Sequence, residues 1–300
     1  MSYPKFFERN LGVLTRAEQE RIRDAKVAII GCGGIGGVIA VVLARSGLGH
    51  FMLMEHDIYE PSNMNRQIAC CVDALGRNKA ACIREDILSI NPEAEVEVVE
   101  RALTIDDVDE VAQWGDVVAP VMDEWPLSLA TIEAVRKSKP AIMAYPVGAL
   151  ARTSVFLAES PSVAECLAMP FGFGYERLIR YTSRPEARRL LQYYVTEGEW
   201  REEWFDGWVD AQLPHAQLCT IVWLTSCLAA MEILKLVTRR WKPVVAPRYW
   251  HITPEGAAIK KFGLGRKLIS RLSRREGLQR YFTMLTSSKR LLRLFTRLLG

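Results

Sequence analysis

The chain has few of the residues that build histidine-dependent or disulfide-stabilised sites. It contains only four histidines among 300 residues, and none is spaced from another as in a metal-ligand pair or a catalytic triad. Its seven cysteines are odd in number and lack the spacing of a disulfide framework. The first residues, Met1-Ser-Tyr-Pro, do not resemble a secretory signal. These absences favour a reducing, cytoplasmic setting and a chemistry that needs no imidazole base.

Long apolar runs are also scarce. No run approaches the roughly 20 residues needed to span a bilayer, so we expect no membrane span. Nevertheless, 49% of the residues are hydrophobic, which is enough to bury a substantial core.

Acidic residues are nearly absent from the end of the chain. Residues 260–300 hold 12 basic residues and one acidic residue, a net charge of +11, whereas the rest of the chain holds 27 basic and 34 acidic residues, a net charge of −7. Apolar residues of this tail recur at helical spacing, which predicts amphipathic helices. Such a tail could pack on the body as a hairpin, lie peripherally on an anionic membrane surface, or bind an acidic carrier protein or RNA.

Strand-like and helical runs alternate through most of residues 1–259. Strand-like runs are Val27–Ile30, Phe51–Glu55, Val96–Val99, Val117–Met122, Ala141–Tyr145 and Arg152–Leu157. Helical runs are Gly36–Arg45, Lys79–Asn91, Thr104–Gln113 and Leu127–Ser138. This alternation predicts an α/β fold: a doubly wound, Rossmann-like, mainly parallel sheet with helices on both faces, followed by the basic helical tail 260–300.

A glycine turn joins the first predicted strand to the first predicted helix of this sheet. It contains four glycines, Gly31, Gly33, Gly34 and Gly36. Such a turn can place backbone N–H groups and a helix N-terminus against a phosphate, although many strand–turn–helix units use glycines only for tight packing. Glu55, about 20 residues later, ends the next apolar run, where a doubly wound sheet carries the carboxylate that accepts ribose hydroxyls. The pattern therefore predicts nucleotide binding.

A polar and basic cluster follows Glu55 and distinguishes the chain from an ordinary dinucleotide-binding dehydrogenase. It consists of Asn63, Asn65, Arg66 and Gln67, with Lys79 at the start of the next helical run. Cations here can reach a triphosphate and stabilise the charge that develops in phosphoryl or nucleotidyl transfer. The plainer interpretation of these residues is a solvated, charged loop.

At this point the sequence resembles the ThiF/MoeB family of ubiquitin-activating-like adenylyltransferases, from Phe7 to about Thr253. The resemblance implies ATP and magnesium as cofactors and formation of an acyl-adenylate with release of pyrophosphate. It assigns ribose to Glu55, phosphates to Asn63, Arg66 and Lys79, and magnesium to Asp123. Asp57 and Gln67 also match the family spacing, and Arg9 matches the arginine that the family contributes to the neighbouring subunit's site, which implies a homodimer. Asp123 could instead be a simple strand-end cap.

Two features depart from the family pattern. The segment around Cys166 resembles the first of two zinc-binding cysteine pairs but has Val163 in place of the leading cysteine, and a second pair is absent, so we predict no zinc site. Where the family aligns an acyl-accepting cysteine, this chain has Gln212. Cys219 and Cys166 remain candidate nucleophiles, although unpaired cysteines are more often packing residues. We expect the others to be core or near-core: Cys32, Cys70, Cys71, Cys82 and Cys227.

An aromatic-rich insertion, residues 171–210, interrupts the body before the closing helical run Ser226–Lys235. Trp200, Trp204 and Trp208 recur in it at a spacing of four. Such a stripe is typical of a helix face packed on the body, and if functional it would be a lid or a segment that selects the substrate.

The resemblance leaves the activated carboxylate open. It could belong to a small ubiquitin-like sulfur carrier or to a peptide, and relatives of this kind also modify tRNA bases. Two other functions remain: an NAD-dependent oxidoreductase, which would not explain Arg66, Lys79 and Asp123, and a non-catalytic scaffold.

Overall fold

The computed structural model describes residues 2–167 and 201–262. Its centre is one eight-stranded sheet, in the order β3-β2-β1-β4-β5-β6-β7-β8. The strands are β1 (Lys26–Ile30), β2 (His50–Met54), β3 (Glu95–Val99), β4 (Val117–Pro120), β5 (Ala141–Val147), β6 (Leu150–Phe156), β7 (Arg248–Thr253) and β8 (Gly256–Lys261). β1 to β5 are paired in parallel, and β6, β7 and β8 extend the sheet by antiparallel pairing. The predicted doubly wound sheet is confirmed.

The chain order reverses at β1, which lies between β2 and β4. In an open sheet of this kind, a crevice opens at the reversal, beyond the carboxyl ends of the strands, and ligands bind there. The backbone brings the strand ends together: the N–H of Gly31 donates to the carbonyl of Met54, and the N–H of Val121 donates to the carbonyl of Ile30. The segments after β1, β2 and β4 therefore meet at one place.

Helices cover both faces of the sheet, as predicted. The described helices are α1 (Tyr3–Phe6), α2 (Arg16–Asp24), α3 (Gly36–Ser46), α4 (Lys79–Ile90), α5 (Val108–Trp114), α6 (Trp125–Val135), α7 (Val163–Cys166), α8 (Glu202–Val209) and α9 (Cys219–Thr238). Side chains of β1 alternate between the faces: Val27 and Ile29 pack with α2, α3, α4 and α9, while Ala28 and Ile30 pack with α5, α6 and α7.

Several element boundaries differ from the prediction for local reasons. α2 was not predicted, yet Thr15 and Glu18 form a reciprocal capping box at its start. The predicted helix at Thr104 begins as a 3-10 turn, Ile105–Asp107, before α5. β4 ends at Pro120, so the residues up to Asp123 form a connection and not the end of a strand. β8 extends to Lys261, two residues past the predicted domain boundary at 259.

The closing helix, α9, is longer than the predicted Ser226–Lys235 and is the described helix that is long and apolar enough to cross a bilayer by length and composition. The expectation that no such run exists was therefore wrong. α9 lies on the sheet face: Val222, Ala229 and Ile233 belong to the core shared with α2 and α3, and the carboxylate of Glu232 is completely buried, accepting from the N–H of Val244 (2.7 Å) and the indole of Trp250 (2.7 Å). These contacts are those of a core helix.

Two predicted segments lie largely outside the residues that the structure describes. The basic tail lies outside it from residue 263 onward. Of the aromatic insertion, only residues 201–210 are described; Trp204 and Trp208 lie on α8, whereas Trp200 lies outside the described residues.

Candidate nucleotide site

The glycine turn after β1 is built around two close backbone approaches. Gly31 has a φ of +91°, and a Cβ there would lie 2.6 Å from the Cα of Met122 on the neighbouring strand connection. A Cβ on Gly36 would lie 1.9 Å from the carbonyl oxygen of Gly31. Both positions therefore require glycine, because any side chain would collide with backbone atoms. The close fit places the first turn of α3 directly against the end of β1.

This arrangement leaves backbone donors facing the crevice. In residues 2–167 and 201–262, the N–H groups of Gly33, Gly34 and Ile35 donate to no protein acceptor, and no side chain caps α3. Unsatisfied N–H groups at a helix N-terminus, together with the helix dipole, favour an anion. The turn fits a phosphate group by its backbone donors.

Glu55 follows β2 and stands beside the glycine turn. One carboxylate oxygen accepts from the N–H of Cys32 (3.0 Å), and the other accepts from the N–H groups of His56 (2.9 Å) and Asp57 (3.0 Å). The side chain is buried, at 8% exposure. A carboxylate has about four acceptor positions, so one remains for a ligand hydroxyl. Glu55 thus fastens the ends of β1 and β2 to each other in addition to its predicted ribose role.

Lys79 begins α4 and lies on the same side of the crevice. Its ammonium group is paired with the carboxylate of Asp57 at 3.0 Å, and its side chain is almost entirely buried. Asn78 caps α4 by accepting from the N–H of Ala81, and its amide donates to the carbonyl of Glu55. The cap therefore fixes the start of α4, and with it Lys79, to the end of β2.

Arg66 lies over the glycine turn. A Cβ on Gly34 would be 3.4 Å from its Cγ, and the guanidinium donates to the carbonyl of Ser62 (3.0 Å) and the side-chain oxygen of Asn65 (2.7 Å). Burial lowers the pKa of Arg66, while the negative charge of Asp123 raises it. Asp123 itself is exposed, three residues beyond β4. The structure thus brings the predicted arginine and the predicted metal ligand to the same crevice.

Two amide side chains line the loop beneath Arg66. Asn63 is buried, and its side-chain oxygen accepts from the N–H of Glu60 (3.1 Å), so part of its role is to shape the loop. Gln67 is 7% exposed, and its amide nitrogen would lie 3.7 Å from a Cβ on Gly33. Among the described residues, the side-chain oxygen of Gln67 and the Nε of Arg66 have no hydrogen-bond partner. Buried polar atoms that lack partners beside a donor-rich turn fit a site that receives a polar ligand.

Sequence reasoning missed the wall on the far side of Arg66. The indole N–H of Trp223, on the first turns of α9, donates to the carbonyl of Arg66 (2.8 Å), and Val222 would lie 3.1 Å from a Cβ on Gly34. The loop before α9 also contacts this segment, because the side-chain amide of Asn65 donates to the carbonyl of Gln217 (3.1 Å). α9 is therefore part of the site wall and not packing alone. A tryptophan on an otherwise aliphatic helix was the available signal.

Arg9, a predicted site residue, lies away from this crevice. It is exposed on the short turn Glu8–Asn10, and the side chain of Asn10 donates to the carbonyl of Ser46, at the far end of α3. The glycine turn lies at the other end of this 11-residue helix, about 15 Å away. Arg9 therefore does not complete the site of its own chain.

The cysteines divide by burial. Cys166 is 2% exposed on α7, on the opposite face of the sheet from α9, whereas Cys219 is half-buried at the start of α9. Cys32 and Cys82 are buried as expected, and Cys70 is half-buried. Cys71 and Cys227 are exposed, so the expectation that they belong to the core was wrong. Cys227 lies on the outward face of α9, where the apolar composition of the helix concealed its exposure.

Comparison with known proteins identifies the family of the chain. The model of the ThiF family matches residues 7–267. Protein HesA from the heterocyst of Trichormus variabilis is 26% identical over 231 residues, which are 77% of this chain and 73% of HesA. The SAMP-activating enzyme E1 of Haloferax volcanii is 33% identical over 108 residues, 36% of this chain and 40% of the enzyme. Other curated relatives are named adenylyltransferases, and one is named a tRNA-modifying dehydratase.

Solved structures share the fold. E. coli MccB, crystallised with ATP, superimposes with a TM-score of 0.60 at 22% identity, over 81% of this chain and 65% of MccB. The chain thus spans somewhat less than two thirds of that structure. With most of its length matched by one family model and with the crevice assembled from the residues described above, the chain belongs to the ThiF family of E1-like adenylyltransferases.

Proposed function

We propose that the protein uses ATP to adenylate a carboxylate on a small carrier protein or a peptide. The observation that carries this proposal is the convergence of unsatisfied amides of the glycine turn with Arg66, Lys79 and Asp123 at the reversal of the sheet. A dinucleotide-binding oxidoreductase would use the glycine turn and Glu55 but has no need of two cations and an exposed aspartate beside them.

Different residues of the crevice would bind different parts of the nucleotide. The amides of Gly33, Gly34 and Ile35 fit a phosphate, and the remaining acceptor position of Glu55 fits a ribose hydroxyl. Arg66 and Lys79 supply the positive charge that a triphosphate needs. Lys79 is paired with Asp57, and in the ATP complex its ammonium group would bind a phosphate oxygen in place of that carboxylate.

The reaction needs charge stabilisation more than proton transfer. A substrate carboxylate is already ionised at neutral pH, so it can attack the α-phosphate directly and release pyrophosphate. Magnesium held by Asp123 would neutralise phosphate charge. Arg66, half-buried and fixed by two hydrogen bonds, is positioned to stabilise the charge that spreads over the phosphate oxygens in the transition state.

We further propose that the active form is a homodimer built on α9. The outward face of this helix exposes apolar residues at a spacing of three and four, Leu224, Cys227 and Met231, together with Trp223. The nucleotide crevice adjoins the start of α9. At the end of α9, the carbonyl of Thr238 accepts from Arg21 of α2, the helix that follows the N-terminal segment carrying Arg9. Antiparallel pairing of two α9 helices would bring Arg9 of one copy towards the crevice of the other.

An acyl-accepting cysteine, if the protein uses one, is better represented by Cys219 than by Cys166. Cys219 begins the helix that walls the site and is partly accessible, whereas Cys166 is buried on the other face of the sheet. A buried thiol is a poor nucleophile, because burial disfavours the thiolate.

Pyrophosphate exchange into ATP tests the proposed reaction. Purified protein would be assayed with a panel of carboxylates: a ubiquitin-like sulfur carrier ending in Gly-Gly, short peptides with varied C-terminal residues, and free amino acids. We expect exchange with a protein or peptide carboxylate and a loss of about 100-fold or more in Arg66→Gln. Glu124→Gln, which changes the exposed neighbour of Asp123, is the matched control and should retain exchange. Equal exchange in Arg66→Gln would remove Arg66 from the mechanism.

A further inference from the structure

The loop that connects α8 to α9, residues 210–218, closes over the arginine side of the crevice. It is held on three sides. The N–H of Gly148, between β5 and β6, donates to the carbonyl of Ala216 (3.0 Å); Asn65 donates to the carbonyl of Gln217 (3.1 Å); and the indole of Trp204 donates to the carbonyl of Pro214 (3.0 Å). The loop is therefore fixed relative to the segment that carries Asn65 and Arg66.

His215 is at the centre of this loop, whose other titratable residue is Asp210 at its start. The imidazole packs edge-on against the ring of Trp208 on α8, with the ring centres 5.5 Å apart. It is mostly buried, and the guanidinium of Arg66 is close enough to act on it electrostatically. Trp208 thus holds the imidazole in place, two residues before Gln217, whose carbonyl is bonded to Asn65, the chain neighbour of Arg66.

The surroundings of His215 keep it neutral. Burial and the positive charge of Arg66 lower the pKa of His215 to about 4. The other charged residues of the described elements around it are Glu202, Glu203 and Asp206 on α8, Asp210 after that helix, and Asp123 near Arg66. The β5–β6 turn at Gly148 contributes no charged side chain. Among the described residues, Arg66 is the charged group that lowers the pKa of His215, and an anionic ligand would neutralise its charge.

We propose that His215 is a further residue of the nucleotide site, which faces the same phosphate groups as Arg66 and takes up a proton from solvent when they bind. The proposal rests on the proposed ATP site. Phosphate next to Arg66 cancels the charge that disfavours the imidazolium, and the imidazolium then adds a second positive charge on that side of the phosphates. Loop 210–218 thereby becomes a sensor of phosphate occupancy.

Calorimetric titration with magnesium-ATP between pH 5.5 and pH 8 tests this proposal. If the bound state restores the ordinary pKa of histidine, the affinity of the native protein should rise about tenfold over that of His215→Gln as the pH falls across this range. Repeating the titration in buffers of different ionisation enthalpy measures the proton uptake directly. His56→Gln, which alters the other histidine at the crevice, is the matched control and should keep the pH dependence.

The outcomes separate the two proposals. Absence of magnesium-ATP binding at every pH would refute the ATP site on which this inference rests. Binding with no proton uptake, or with a pH dependence that disappears in His56→Gln and persists in His215→Gln, would overturn the role of His215 while leaving the ATP site intact. Proton uptake that is lost only in His215→Gln supports it.

Discussion

At the scale of single residues, the crevice is shaped by two glycines that admit no side chain, and the role we propose for His215 was not visible in the sequence. The glycine turn was readable from the sequence because Gly31 and Gly36 occupy positions at which a side chain would collide with backbone atoms. His215 was not readable, because its role depends on Arg66, which is 149 residues away in the chain and adjacent only in the fold.

The close approach at Gly36 predicts a large effect of one methyl group. In Gly36→Ala the new Cβ would lie 1.9 Å from the carbonyl oxygen of Gly31, so the turn must open. We expect a loss of about 2 kcal/mol in the free energy of unfolding. Gly33→Ala is the control, because its Cβ meets nothing nearer than 3.7 Å and should cost less than about 1 kcal/mol. Chemical denaturation measures both, and equal stabilities would contradict the geometry.

The lowered pKa of His215 predicts a pH-dependent stability. Below its ordinary pKa, the unfolded chain binds a proton at His215 that the folded chain binds only near pH 4, so stability falls as the pH drops from about 6.5 to about 4. Between pH 7 and pH 5, we expect the free energy of unfolding to fall by about 1–2 kcal/mol more in the native protein than in His215→Gln. Parallel curves for the two proteins over this range would show that His215 titrates normally in the fold.

At the scale of elements, the parallel half of the sheet and its helices could be predicted from apolar runs and caps, whereas the antiparallel half was only partly visible. β7 and β8 were missed, and β8 is exposed along its whole length, so it carries no buried face that would produce a pattern. The first turns of α9 form one wall of the site. This role was missed because composition shows which residues of α9 are apolar but not which of them face Arg66.

Contact between α9 and the loop that carries Arg66 predicts a graded effect of Trp223. Trp223→Phe keeps an aromatic side chain but removes the indole N–H that donates to the carbonyl of Arg66. Loss of one such hydrogen bond should weaken magnesium-ATP binding about 3- to 10-fold with little change in stability. Trp241→Phe, at another exposed tryptophan away from this contact, should bind normally. Unchanged affinity in Trp223→Phe would mean that α9 does not position Arg66.

At the scale of the whole molecule, the crevice lies at the N-terminal ends of α3 and α9, and the segment that carries Arg9 lies near the C-terminal end of α3. One copy therefore separates two parts that the proposed chemistry uses together. The sequence predicted this dimer only through resemblance; the structure adds the exposed apolar face of α9 as a surface on which it can form.

An antiparallel pair of α9 helices predicts a specific cross-link. Cys227 lies near the middle of the 20-residue helix, so two copies related by a twofold axis would bring their Cys227 side chains close together. We expect mild oxidation or a short bis-maleimide to trap a covalent dimer that is lost in Cys227→Ser. Cys71→Ser, which removes the other exposed cysteine, should still cross-link. A monomer by light scattering at working concentrations would refute the dimer.

The central claim is that the crevice at the reversal of the sheet is an ATP site in which Asp123 holds magnesium. Titration calorimetry of the purified protein with magnesium-ATP and, separately, with NAD tests it most directly, using Asp123→Ala and the control Glu124→Ala. We predict binding of magnesium-ATP that weakens at least tenfold in Asp123→Ala and stays unchanged in Glu124→Ala. Binding of NAD without binding of ATP would contradict the claim and identify the glycine turn as a dinucleotide site.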